Sequence, residues 1–269
     1  MAAHFVSRRA ACSGDVLFHI EDEFGDIDVI DEGKGIRSLQ FGSVARQSTM
    51  FIARPNVLAL AYTQCMMTAL ALLVEAPQRA LVLGLGGGSL VKFLLAQFPA
   101  CRVDAVELRP PIVELAQQFF SLNAEAPNLQ LHLIDGERFV EEAHDSQYDL
   151  IFVDLHDANG MAQAVTRPGF TARACACLRP GGVLVSNLWY GVDEGVERQV
   201  RCHLEQTFAN VLYFPVAGKR NCVALCPRSS QPPSRNELEQ RARDWNQEGG
   251  LDLRGLVKDL IRHNGRLLL

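Results

Sequence analysis

From residue 80 the chain repeats one unit: a short, unbroken run of apolar residues, a polar break, then a stretch with helical spacing. Apolar runs at 80–83, 102–106, 129–134, 149–153 and 182–186 alternate with helical stretches at 89–97, 111–120, 137–144 and 168–178. A strand that is apolar at every position needs cover on both faces, and strand–helix alternation links such strands in parallel. The pattern predicts an open, doubly wound α/β sheet. Two closing runs, 211–214 and 222–226, are joined by a short loop holding Gly218 and read as an antiparallel pair at the sheet edge.

The flanks differ in texture. Runs at 16–20, 26–30 and 36–41 alternate in the strand manner, punctuated by Glu23-Phe24-Gly25 and Glu32-Gly33-Lys34-Gly35. They predict a small N-terminal antiparallel β-meander. Seven acids fall within residues 21–32 and read as a solvated outer face. Pro55 is expected to open a long helix through Leu73. Tyr62, Thr63, Gln64 and Thr68 interrupt its apolar run, so it reads as a buried helix and not a membrane span. The tail starts polar and then predicts short helices at 237–245 and 253–263. The expected division is 1–53 for the meander, 54–228 for the sheet domain and 229–269 for a helical tail.

Composition narrows the function. With 269 residues, 48% of them hydrophobic, the chain builds a core without metal or disulfide. A net charge of −5 argues against a protein that binds nucleic acid by neutralising phosphates. None of the 8 cysteines forms a C-x-x-C pair, and most sit in apolar runs. They read as reduced, buried thiols, and with no apolar leader after Met1 the expected location is cytoplasmic.

The chemistry-bearing residues close the apolar runs. Gly84-Leu85-Gly86-Gly87-Gly88-Ser89 follows the first run and opens a helix, where glycines admit a ligand close to the backbone. The NAD fingerprint asks for glycine where Ser89 stands. Glu107 ends the second run, with oxygens able to accept from ribose hydroxyls, Asp135-Gly136 the third and Asp154 the fourth, with Asp157 three residues on. In an open α/β sheet ligands bind outside the carboxyl ends of the strands, so these acids are expected to line one cleft. His156 lies between two acids, but no further ligands stand at metal spacing, so no metal is expected.

This order resembles the class I S-adenosylmethionine-dependent methyltransferase fold, including Leu178-Arg179-Pro180-Gly181-Gly182 before the fifth strand. It implies a mostly parallel, seven-stranded sheet. The meander, Gln47, Tyr62-Thr63-Gln64-Cys65-Met66 and the glycine loop narrow the resemblance to the spermidine synthase family of aminopropyltransferases, over residues 15 to 227. That family carries Tyr-x-Glu-Met before Gly-Gly-Gly-Asp-Gly, and Asp-Ser-Ser/Thr-Asp-Pro after strand four. Here the corresponding residues include Gln64 for the glutamate, Gly87 for the loop aspartate and Ala158 for the proline, while Asp154 and Asp157 keep their spacing.

The resemblance implies an enzyme using decarboxylated S-adenosylmethionine as co-substrate, with no tightly bound cofactor. Asp154 becomes the proton acceptor; Asp157, Tyr62 and Gln64 contact the acceptor amine. Gln47, Gly84, Gly86, Gly87, Glu107, Asp135 and Gly136 hold the nucleotide donor. Tyr62 fits core packing equally well. Two rival readings stand beside this one: a methyltransferase using intact S-adenosylmethionine, which Gly87 favours, and a non-catalytic nucleotide-binding protein. The expected partner is a small-molecule amine, with no nucleic acid and no membrane. A homodimer is expected because the apolar face of the meander (Val16, Phe18, Ile27, Val29) needs cover.

Overall fold

In the computed structural model, which describes residues 14–43, 45–156, 160–189, 194–245 and 250–268, the chain opens with a four-stranded antiparallel sheet. Its strands are β1 (Asp15–Asp22), β2 (Gly25–Gly33), β3 (Ile36–Gln40) and β4 (Arg46–Phe51), paired in that order. The fourth strand goes beyond the three expected from the pattern. Its Ser48 and Thr49 are buried, so no polar–apolar alternation marks it.

The long helix expected from Pro55 to Leu73 is not formed. Residues 52–60 are turns, with Arg54 N donating to Phe51 O and Val57 N to Arg54 O. Only α1 (Ala61–Met66) is α-helical, and Met67–Ala71 tightens into a 3-10 turn. Thr63 and Thr68 each bond through Oγ1 to the carbonyl three residues back. Such local bonds compete with regular helix.

The alternating region then follows as β5 (Arg79–Leu83), α2 (Ser89–Gln97), β6 (Arg102–Glu107), α3 (Pro110–Phe120), β7 (Leu129–Leu133), α4 (Gly136–Glu142), β8 (Tyr148–Val153), α5 (Pro168–Cys177) and β9 (Leu178–Trp189). The chain continues with α6 (Glu194–Thr207), β10 (Leu212–Pro215), β11 (Asn221–Pro227), α7 (Arg235–Asp244) and α8 (Leu253–Asn264). Seven strands form one sheet in the order β10-β11-β9-β8-β5-β6-β7. Those from β5 to β9 run parallel, and β11 pairs antiparallel with both β9 and β10.

The two faces explain the unbroken apolar runs. Ala80, Val82, Leu150, Phe152, Val183 and Val185 join the core packed by α1, α2, α3, α7 and α8. Leu81, Leu83, Ile151, Val153 and Leu184 alternate with them and join the core packed by α4, α5 and α6. Sequence reasoning missed α6, although Val196, Val200, Leu204 and Phe208 recur every fourth residue and face that second core.

The N-terminal sheet leans on its own chain. Ile27 and Val29 are buried in the first core, and Phe18 packs on Phe119 of α3 with ring centroids 5.7 Å apart. Phe18, Ile27 and Val29 of this apolar face are therefore covered within the chain, Phe18 by α3, while Val16 stays half-buried. A buried ion pair adds to the contact. Arg109 donates through Nε and Nη2 to Asp22 at 3.0 and 2.8 Å, and through Nη2 to Gly25 O at 2.8 Å. Its guanidinium lies 4.8 Å from the Phe41 ring centroid. Arg109→Gln leaves Asp22 without its partner and is expected to cost about 3 kcal/mol of unfolding free energy in chemical denaturation. A loss under about 0.5 kcal/mol, the scale of ordinary surface substitutions, means that the pair does not hold the sheet in place.

Candidate active site

β5 and β8 are neighbours in the sheet, with Leu83 opposite Val153. The residues that follow, Gly84 and Asp154, therefore leave the sheet side by side. Gly84 has φ +93°, and a Cβ there would lie 2.3 Å from Asp154 O. Only glycine allows the loop to turn away at this point. Beside it opens a cavity of about 770 Å³.

The expected acids reach this one cavity. Glu107, at the tip of β6, accepts from Leu85 N at 3.1 Å and from Arg109 N at 3.0 Å. Burial raises its carboxyl above the usual glutamate value, partly offset by those backbone donors. Asp135 caps α4, its Oδ1 accepting from Glu137 N at 2.9 Å and Arg138 N at 3.1 Å. Asp154 accepts from Tyr62 Oη at 3.0 Å on Oδ2 and from Asn187 Nδ2 at 2.8 Å on Oδ1. His156 Nδ1 stands 3.3 Å from the same Oδ1. Burial, with the Asp154 charge and hydrogen bond behind it, holds the Tyr62 phenol well above its ordinary pKa. Tyr62 therefore keeps its proton and serves as a donor.

Gln47, Gly84, Gly86 and Gly136 also line the cavity. Two expected residues do not. Gln64 turns its amide to Leu58 O at 2.8 Å and is absent from the cavity wall. Gly87 lies behind the wall, where a Cβ would meet Phe120 Cδ1 and Ser48 Oγ at 2.8 Å. The space for a side chain at this position is already filled. In its place the cavity meets the Ser48 and Ser89 hydroxyls, 3.1 Å apart. Asp157 lies outside the described residues. Among the described residues no group of three or more His, Cys, Asp or Glu could hold a metal.

Sequence reasoning missed Asn187, Asn221, Ser48, Trp189 and Lys219, all in the cavity wall. For Asn187 a signal existed, since a buried amide within an apolar strand has to find partners.

A glycine loop, two acids at successive strand tips and a third beside Tyr62, all on one cavity, are the arrangement of a transferase of the methyltransferase fold. The comparisons bring the assignment to a family. The spermine/spermidine synthase domain model matches residues 59–214. A polyamine aminopropyltransferase of Chromobacterium violaceum is 31% identical over 249 residues, covering 91% of this chain and 94% of the relative. The chain belongs to the spermine/spermidine synthase family. A solved spermidine synthase in complex with the transition-state analogue AdoDATO shares the fold, with a TM-score of 0.71 at 14% identity over 93% of this chain and 88% of that one. An eEF1A lysine and N-terminal methyltransferase of Bos taurus is 31% identical over 170 residues, 60% of this chain and 24% of that protein. Among the described residues no helix is long and apolar enough to cross a membrane.

Two outcomes are expected from this geometry. Gly87→Asp pushes a side chain into Phe120 and Ser48, so it lowers the melting temperature and does not raise donor affinity; a fully stable, tighter-binding variant contradicts the packing. Glu107→Ala weakens methylthioadenosine binding by about 1.5–3 kcal/mol in calorimetry. The ionised carboxylate is the form that accepts hydroxyl protons, and its pKa is raised. Wild-type affinity therefore begins to fall, as pH drops from 7, before an exposed glutamate near ~4.3 titrates. An affinity flat down to that value means that Glu107 does not hold the nucleoside.

Proposed function

We propose that the chain transfers the aminopropyl group of decarboxylated S-adenosylmethionine to a polyamine, with Asp154 at the reacting centre. The observation that carries this is the Asp154 carboxylate, held by Tyr62 and Asn187 in the same cavity as Glu107 and Asp135. The nucleoside end lies against Glu107 and Asp135, and the sulfonium lies near the Gly84–Gly86 loop. The polyamine acceptor follows the names of the relatives.

A primary amine with a pKa near ~10.4 is protonated at neutral pH and has no free lone pair. Asp154 takes one proton from that ammonium. The freed nitrogen pair bonds to the methylene carbon, the carbon–sulfur bond breaks, and its pair neutralises the sulfonium. The products are a secondary ammonium and methylthioadenosine, and the proton leaves Asp154 to solvent. Alignment of the two substrates supplies the rest of the acceleration. Asp157 is proposed to hold the distal ammonium.

The filled space at Gly87 and the similarity to the Bos taurus methyltransferase favour a second reading, methyl transfer from intact S-adenosylmethionine. Side-by-side calorimetry with the intact donor, its decarboxylated form and methylthioadenosine separates the two. Asp154→Asn keeps the shape and removes the base. Turnover is expected to fall by roughly 10²–10⁴ with donor affinity unchanged, and to recover partly at higher pH, where more amine is neutral. Full turnover of this variant with an amine that the wild type uses ends the aminopropyl mechanism.

A further inference from the structure

Behind the reacting carboxylate stand two amides in series. Asn187 is buried on β9, and its Nδ2 donates to Asp154 Oδ1 at 2.8 Å. Its own Oδ1 accepts from Asn221 Nδ2 at 3.0 Å. Asn221 opens β11 opposite Trp189, directly after the turn whose Lys219 and Arg220 line the same cavity. The series has a direction. An amide is a donor at one end and an acceptor at the other, so fixing the acceptor end of Asn187 fixes its donor end on Asp154. Turned over, Asn187 points a carbonyl oxygen at a carboxylate.

We propose that Asn187 is a positioning residue for proton transfer at Asp154, and that Asn221 sets the polarity of this relay. The inference rests on the aminopropyl-transfer reading. Asn187 holds the carboxylate plane through a charge-assisted hydrogen bond. Among the described residues, the titratable and charged groups around Asp154 are Tyr62 from α1 and His156 from its own loop, with Glu32, Arg46, Glu107, Arg109, Asp135, Lys219 and Arg220 elsewhere on the cavity wall. Of these, His156 Nδ1 also stands on Oδ1, at 3.3 Å, farther than Asn187 Nδ2 at 2.8 Å.

The sign follows directly. Removing a donor from a carboxylate raises its pKa, so the acidic limb of the turnover profile moves to higher pH. Asn187→Ala is expected to lower turnover about 10–100-fold, the worth of one hydrogen bond to a charged group, with the amine KM changed less than about threefold. Asn221→Asp is isosteric but accepts only, so it draws Asn187 Nδ2 away from Asp154. Its loss should match that of Asn187→Ala and exceed that of Asn221→Ala. The new charge of Asn221→Asp acts at a distance whatever Asn187 does, so a double-mutant cycle separates the two effects. In the Asn187→Ala background, Asn221→Asp should keep only that charge effect and so cost clearly less than in the wild type if the relay operates. Carboxyl ¹³C NMR of Asp154 gives a reading free of turnover, with its titration moved upward in Asn187→Ala. If the wild type releases no methylthioadenosine with any amine, the transfer reading fails and the NMR titration still decides the relay. An Asp154 titration unmoved in Asn187→Ala, or an Asn221→Asp effect that survives intact in that background, overturns the proposal.

Discussion

The site depends on one close approach of backbone to backbone. The chain leaves β5 towards β6 and β7 on one side, then returns to lay β8 on the other. Between β5 and β8 the connections diverge, and in an open α/β sheet that divergence opens a crevice. Gly84 N donates to Val106 O and Asp154 N to Leu83 O, so both residues are still anchored to the sheet as they turn out. Because Gly84 has no side chain, the glycine loop and the Asp154 carboxylate share one edge of the crevice. Any side chain there would meet Asp154 O, and the loop and the acid would move apart.

The wall beyond the loop is rigid for a separate reason. Phe120, fully buried, fills the space next to Gly87, and Lys92 from α2 donates to Phe120 O at the end of α3. Burial lowers the Lys92 pKa to about 8. A cation at a helix C-terminus meets carbonyls that lack helical partners, which fits its position. The cavity wall here therefore presents serine hydroxyls and backbone, with no carboxylate from position 87. Here the chain lacks the family's loop aspartate while keeping Glu107 and Asp135 at the strand tips.

The strand tips were legible because each acid closes an unbroken apolar run; strand length alone puts Glu107, Asp135 and Asp154 at one end of a parallel sheet. Residues whose roles depend on side-chain direction were not. Gln64 stands at the family spacing, yet α1 starts only at Ala61 and the amide is taken by Leu58 O. Asn187 was hidden inside a run that continues to Trp189 as β9. β4 carries buried serine and threonine where alternation was sought. The cover of the meander by Phe119 joins segments far apart in the chain, which local patterning does not report.

The two oxygens of Asp154 are unequally engaged. A carboxylate offers about four lone-pair sites. Asn187 takes one on Oδ1, where His156 Nδ1 also stands within 3.3 Å, and Tyr62 takes one on Oδ2. Oδ1 is thus crowded by the sheet and its loop, while Oδ2 keeps a lone pair beside Tyr62. The single Tyr62 hydroxyl proton goes to Asp154, with Gln47 O of the N-terminal sheet 3.4 Å away as its alternative acceptor. On the aminopropyl-transfer reading proposed above, an ammonium would reach Oδ2 from the cavity, between Tyr62 and the glycine loop. The N-terminal sheet, though built apart from the parallel core, thereby supplies Gln47 and Ser48 to the wall of the same cavity as Asp154.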